Sequence, residues 1–216
     1  MAIQSIKHMI RVGGSGLCAI FFTLFAVCAH AQTAEYTPTP TTDLIDDQLM
    51  GEIRAFLTHP VVHMSVEASN ARREGITEDK ILELDQQWRA EAKSEDGAQP
   101  LIAAALGSPI STYLLRVQAR SGGLYTEIFV MDNNGLNVGQ SSITSDYWQG
   151  DEAKVQKTFP KGAGTIFIDE PEYRDDLKIW FAQINMTIDK DGAPIGVSTV
   201  EVNLTELARR RTAVGS

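Results

Sequence analysis

The apolar residues of this chain change their spacing once, at Ser121-Gly-Gly123, and that change confines the fold to helices first and an antiparallel sheet second. Between residues 43 and 73, Leu44, Ile45, Leu49, Ile53, Phe56, Leu57, Val61 and Met64 recur at three- and four-residue intervals, the period of an amphipathic helix. Pro60 lacks a backbone donor and crowds the preceding turn, so this helix is expected to kink or divide there. Thr77-Glu-Asp-Lys supplies an N-cap and first-turn acids for a second helix, whose Ile81, Leu84 and Trp88 share one face. Shorter helices are predicted over 101–106 and 109–119, the latter opening on Pro109.

Past Gly123 the period becomes two. Strands are predicted over 124–131, 136–141, 165–169, 177–188 and 195–204, with Asp132-Asn-Asn-Gly135 and the segment 189–194 as turns. A short helical segment is predicted over 152–159 and a helical turn over 205–210. Cross-strand partners must project to one face, and in the last hairpin this selects a register. When partner numbers sum to 384, Trp180, Ala182, Ile184, Met186 and Ile188 oppose Leu204, Val202, Val200, Ser198 and Gly196 on a nearly apolar face. Phe181, Gln183, Asn185 and Thr187 then oppose Asn203, Glu201, Thr199 and Val197. Such a polar face either meets solvent or lines a cavity. Gln183, Asn185, Thr199 and Glu201 become pocket residues only if something covers them.

The first 31 residues differ in kind. Lys7 and Arg11 precede an apolar run from Gly16 to Cys28 that ends in Ala29-His-Ala31: a basic start, a stretch short for a membrane span, and small residues at the third and first positions before a cut after Ala31. A cleaved secretory signal over 1–31 and a periplasmic location are therefore expected, an uncleaved anchor being the alternative. Thr37-Pro-Thr-Pro-Thr-Thr42 reads as an extended spacer over 32–42, and 208–216 as a basic flexible tail. Removing the signal leaves 17 basic against 28 acidic residues, a net charge of −11, and takes away Cys18 and Cys28. That excludes disulfides, thiolate chemistry and c-type haem attachment, and disfavours nucleic acid as a partner.

Local motifs support no catalysis. His59-Pro-Val-Val-His63 has a metal-pair spacing, but Pro60 stands where a zinc protease carries glutamate. No Gly-x-Ser-x-Gly elbow exists. The aspartates of the two turns lack the glycine and glutamate of a calcium loop. The acidic run Asp169-Glu-Pro-Glu-Tyr-Arg-Asp-Asp176 reads as a solvated loop able to attract a cation or a basic partner. An enzyme, a cofactor and a metal site are accordingly not expected.

Helices, strand, turn, strand, helical connection and three further strands follow one another in an order carried by Phe129-Val-Met-Asp-Asn-Asn-Gly-Leu-Asn-Val-Gly-Gln-Ser141, Asp146-Tyr-Trp-Gln-Gly-Asp-Glu152 and Pro194-Ile-Gly-Val-Ser-Thr-Val-Glu-Val-Asn-Leu204. This resembles the bacterial Cache domains, PAS-like periplasmic input modules of chemoreceptors and sensor kinases, in their single-module form over 43–207. The resemblance implies an α+β fold, a five-stranded antiparallel sheet with long N-terminal helices on one face. It also implies a pocket between the sheet and the connection joining the second and third strands, taking a carboxylate or amino-acid-like metabolite. In that connection Tyr147, Trp148, Gln149 and Asp151 offer stacking and directional hydrogen bonds, and Gln183, Asn185 and Thr199 would complete the ligand-binding set. Trp148 is equally suited to plugging the core edge. Family members usually adjoin a membrane-crossing helix, whereas this sequence shows no second apolar span. The expected role is thus a free binding protein reporting to a membrane signalling partner. The alternative is a ligand-free interaction module, dimerising through its N-terminal helix or serving as a subunit of a membrane kinase, chemoreceptor or cyclase.

Overall fold

A computed structural model describes residues 39–94 and 97–214; the expected signal, both cysteines and the start of the spacer lie outside them. The predicted 43–73 helix is two helices, α1 (Asp47–Leu57) and α2 (Pro60–Arg72). Pro60 occupies the first turn of α2, where its missing N–H costs nothing. His59 caps that helix, its Nδ1 accepting from the Val61 N–H, and its ring stacks on Tyr113 at 4.4 Å between centroids. Among the described residues no group of three or more His, Cys, Asp or Glu side chains could hold a metal.

Helix α3 (Glu78–Lys93) starts at Thr77, whose hydroxyl accepts from the Lys80 N–H. Helices α4 (Pro100–Leu106) and α5 (Pro109–Arg120) follow. Among the described residues no single helix is long and apolar enough to cross a membrane.

The sheet comprises β1 (Tyr125–Asp132), β2 (Asn137–Gln140), β3 (Ile166–Ile168), β4 (Glu172–Arg174), β5 (Ile179–Lys190) and β6 (Ala193–Asn203). All pairings are antiparallel in the order β2-β1-β6-β5-β3, and β4 also pairs with β5. Six strands therefore replace the expected five. The additional strand arises inside the acidic run expected to be solvated loop, because Glu172–Arg174 reaches the edge of β5 left open beyond β3: β3 covers Ile184–Met186 and β4 covers Ile179–Phe181. Helix α6 (Ala153–Gln156) is shorter than the predicted 152–159, and α7 (Leu204–Val214) is longer than 205–210.

The β5–β6 register follows the 384 sum from Phe181↔Asn203 to Ile188↔Gly196 and slips by one at Asp189↔Pro194. The turn then closes through Asp191 and Gly192, both with positive φ, as a two-residue hairpin connection requires. One face of the sheet is apolar. Ile128, Val130, Ala182, Ile184, Met186, Ile188, Val200 and Val202 bury against α1, α2 and α5 in the main core. Helix α2 approaches closely at Gly196, where a Cβ would lie 2.3 Å from the Met131 carbonyl oxygen and 3.0 Å from Val66. The fold class is thus α+β with the N-terminal helices on one sheet face.

Candidate functional site

The opposite face carries Phe129, Met131 and Val197, packed against Val155 of α6 and Phe159. The 141–165 connection crosses this face, so the polar side of the β5–β6 hairpin is covered. Between sheet and connection lies a cavity of about 700 Å³, within the range of small-molecule sites. Its floor is Glu127 and Phe129 of β1, Glu201 of β6, and Phe181 and Gln183 of β5. One wall is the stretch 142–145 with Glu152 and Lys154; the other is Asp169, Glu170, Glu172 and Arg174.

Glu127 and Glu201 are direct cross-strand partners, a like-charged pairing that a sheet disfavours. Arg174 relieves it from one side, its Nη2 lying 2.9 Å from Glu201 Oε1, with Thr126 donating its hydroxyl to the same carboxylate. Among the described residues the Glu127 carboxylate has one hydrogen-bond donor, the Ser142 hydroxyl at 2.6 Å. Burial pushes the Glu127 carboxyl above its ordinary range, and the Glu201 charge adds to the rise; the Ser142 bond, Arg174 and Lys154 oppose it. On the wall, Lys154 pairs with Glu152 at 2.8 Å, and its ammonium stands 5.3 Å from the Phe129 ring centroid. Arg174 similarly stands 4.9 Å from the Phe181 ring centroid.

The raised Glu127 group has a consequence for stability. A carboxyl that binds its proton more tightly when folded adds stability below the unfolded-state value of about 4.5, and that increment is lost as pH rises through the higher folded value. Glu127→Gln, which never ionises, should therefore unfold at a higher temperature than the parent at pH 7, with the gap closing towards pH 4. Thermal melts of both proteins across that window check this, and a parent that is the more stable at pH 7 would contradict it.

The seven residues singled out from sequence fall into three groups. Gln183 lines the cavity. Gln149, Asn185 and Thr199 stand behind lining residues: Gln149 accepts from Lys154 at 3.1 Å, Thr199 donates to Asn185 at 2.8 Å, and Asn185 donates to Asp169 at 3.0 Å. Tyr147, Trp148 and Asp151 are not among the lining residues. The Asn137 N–H donates to the Tyr147 carbonyl and the Gln149 N–H to the Gly135 carbonyl, which clamps 147–149 along the outer edge of β2. Trp148 donates its indole N–H to the Asn134 carbonyl, Tyr147 stacks on Trp88, and Asp151 is exposed.

Glu127, Phe129, Ser142, Lys154 and Arg174 escaped sequence reasoning. No sequence signal was available for the Glu127–Glu201 pairing: β1 and β6 are not joined by a turn, so nothing local sets their register.

No protein-family model matches the chain, and no curated protein matches it either. Solved structures do show likeness. The chain is similar to the ligand-binding domain of the Pseudomonas aeruginosa PAO1 amino acid chemoreceptor PctC in complex with GABA, at 12% identity and TM-score 0.34, covering 75% of this chain and 63% of that one. It is similar to the sensory domain of the Campylobacter jejuni chemoreceptor Tlp3 at 16% identity and TM-score 0.37, covering 78% and 65%. A third likeness is to the extracellular domain of vpHK1S-Z8, a protein assigned as a histidine kinase, at 12% identity and TM-score 0.42, covering 77% and 53%. In all three the matched region is less than two thirds of the other chain's length. Two of these neighbours are named as ligand-binding or sensory domains of chemoreceptors and the third as an extracellular domain.

Proposed function

We propose that this chain is an exported, non-enzymatic sensory module of Cache type that binds a small metabolite in the cavity between its sheet and the β2–β3 connection. Its lining sets the carboxylates Glu152 and Glu201 beside the cations Lys154 and Arg174, and turns further carboxylates to the cavity. The bound state would be presented to a membrane signalling partner. The observation that carries this reading is the cavity itself, floored by strands and roofed by a connection tied to the fold at its ends. Rigid strands hold polar groups in place without further ordering on binding. The Cache resemblance of the sequence, with its basic, apolar and Ala-x-Ala start, supports the exported and sensory parts.

Thermal unfolding of the full chain against a panel of amino acids, carboxylates and amines tests it. A ligand at a hundred times its Kd stabilises a native state by about 2.7 kcal/mol, a readily seen rise in melting temperature. A panel that leaves the melt unmoved, with no small molecule co-purifying, would count against the reading.

A further inference from the structure

The cavity distributes its charges unevenly, and the imbalance points to a ligand class. Both cations on the lining are already used: Arg174 on Glu201 and Lys154 on Glu152. Each also covers a floor phenylalanine. Lys157 stands 4.0 Å from the Phe167 ring centroid and is not among the lining residues. Four lining carboxylates, Glu127, Asp169, Glu170 and Glu172, make no ion pair among the described residues. An incoming anion would have to break an existing pair and meet this excess; an incoming cation finds acceptors waiting.

The acceptors form two poles. Glu127 lies on β1, while Asp169, Glu170 and Glu172 lie on or beside β3 and β4. Strands β6 and β5 intervene, so the poles are three strand spacings apart, about 14 Å between backbones. Phe129 on β1 and Phe181 on β5 lie on the floor; Lys154 and Arg174 each stand over one of these rings, and the remaining ring surface is apolar ground for methylene groups. Asp169 is further held from beneath by the Thr199–Asn185 pair.

We infer that the ligand is an aliphatic organic cation with an ammonium group at each end, bridging Glu127 and the 169–172 carboxylates across Phe129 and Phe181. This rests on the cavity being the ligand site, as proposed above. The required charge excludes neutral zwitterions and dicarboxylates as the preferred class. Inorganic divalent ions do not suit it either, because the described residues contain no metal-ligating group of three.

Calorimetric titration of the full chain with three length-matched series, α,ω-diamines, ω-amino acids and α,ω-dicarboxylates from three to eight carbons, tests the inference. A calcium chloride arm runs beside them. At least one diamine should bind ten times or more tighter than the ω-amino acid of equal length, with dicarboxylates and calcium giving no saturable heat. Glu127→Gln should weaken that diamine by about tenfold or more, the loss of one charge-assisted contact. Glu172→Gln, at an exposed position, should weaken it severalfold without altering the melt of the free protein. Preferential binding of ω-amino acids, dicarboxylates or calcium would overturn the inference while leaving the cavity a ligand site. Silence from every arm would remove both, and undiminished diamine affinity in the folded Glu127→Gln protein would overturn the bridging geometry.

Discussion

Trp88→Ala lowers the unfolding free energy by about 3–5 kcal/mol, the range for deleting a fully buried large aromatic. Trp88 has no exposed surface and anchors a second core with Ile102, Leu136 and Tyr147. Its ring lies 5.1 Å from that of Tyr147 between centroids, and its indole N–H donates to the Thr144 carbonyl at 2.9 Å. Truncation leaves a cavity between α3 and the connection and strips a buried carbonyl of its donor. Thr144 lines the cavity over the sheet, so that wall loses its tether to α3. Trp88→Phe separates the two causes: it keeps most of the volume and costs about 1–3 kcal/mol for the orphaned carbonyl. Denaturant midpoints of the three proteins decide. A loss below about 1 kcal/mol for the alanine variant would mean that α3 is dispensable to the fold.

Asp132→Ala carries the next largest effect, about 3–5 kcal/mol, because it breaks a buried ion pair from one side. The Asp132 side chain is wholly buried. It accepts from Arg73 Nη1 at 2.6 Å and from the Ser69 hydroxyl at 3.0 Å, and it closes the hairpin turn by accepting from the Asn134 and Leu136 N–H groups. Arg73 continues to the Tyr147 hydroxyl at 2.6 Å. One carboxylate thereby ties α2, the β1–β2 turn and the connection together. Asp132→Asn retains an acceptor for the turn and loses the charge, so it should fall between parent and alanine. Equal midpoints for asparagine and alanine would show that the charge, and not the turn, carries the contribution; a parent-like alanine variant would refute the assignment.

The two kinds of residue expected from sequence fared differently for a physical reason. Ala182, Ile184, Val200 and Val202 could be placed because alternation along a strand is a backbone property and their apolar face had to be buried. Thr77, Pro60 and Gly192 likewise act within one turn of their own backbone. Tyr147 and Trp148 drew attention as large side chains in the connection, yet a side chain's type does not fix where its segment docks. Asp85 accepts from the backbone N–H groups of both Tyr147 and Trp148, and Arg89 bridges Asp85 to Asp146. These anchors come from a helix some sixty residues earlier and hold 146–148 to α3, beside the hairpin edge and away from the floor strands. The run 169–176 misled because its charge suggested solvent, whereas β5 had an open edge there for Glu172–Arg174 to fill.

Periodicity, capping and turn chemistry determined from the sequence alone that helices precede an antiparallel sheet, where the first helix divides, and how β5 registers on β6. All three rest on interactions between near neighbours or on one strand pair. Only the tertiary structure decided that the polar face is roofed, that Glu127 meets Glu201 with Arg174 committed to one of them, and that four cavity carboxylates make no ion pair among the described residues. Those facts depend on contacts such as Thr126 with Glu201 and Arg174 with Glu201, 75 and 27 residues apart, which no local pattern encodes.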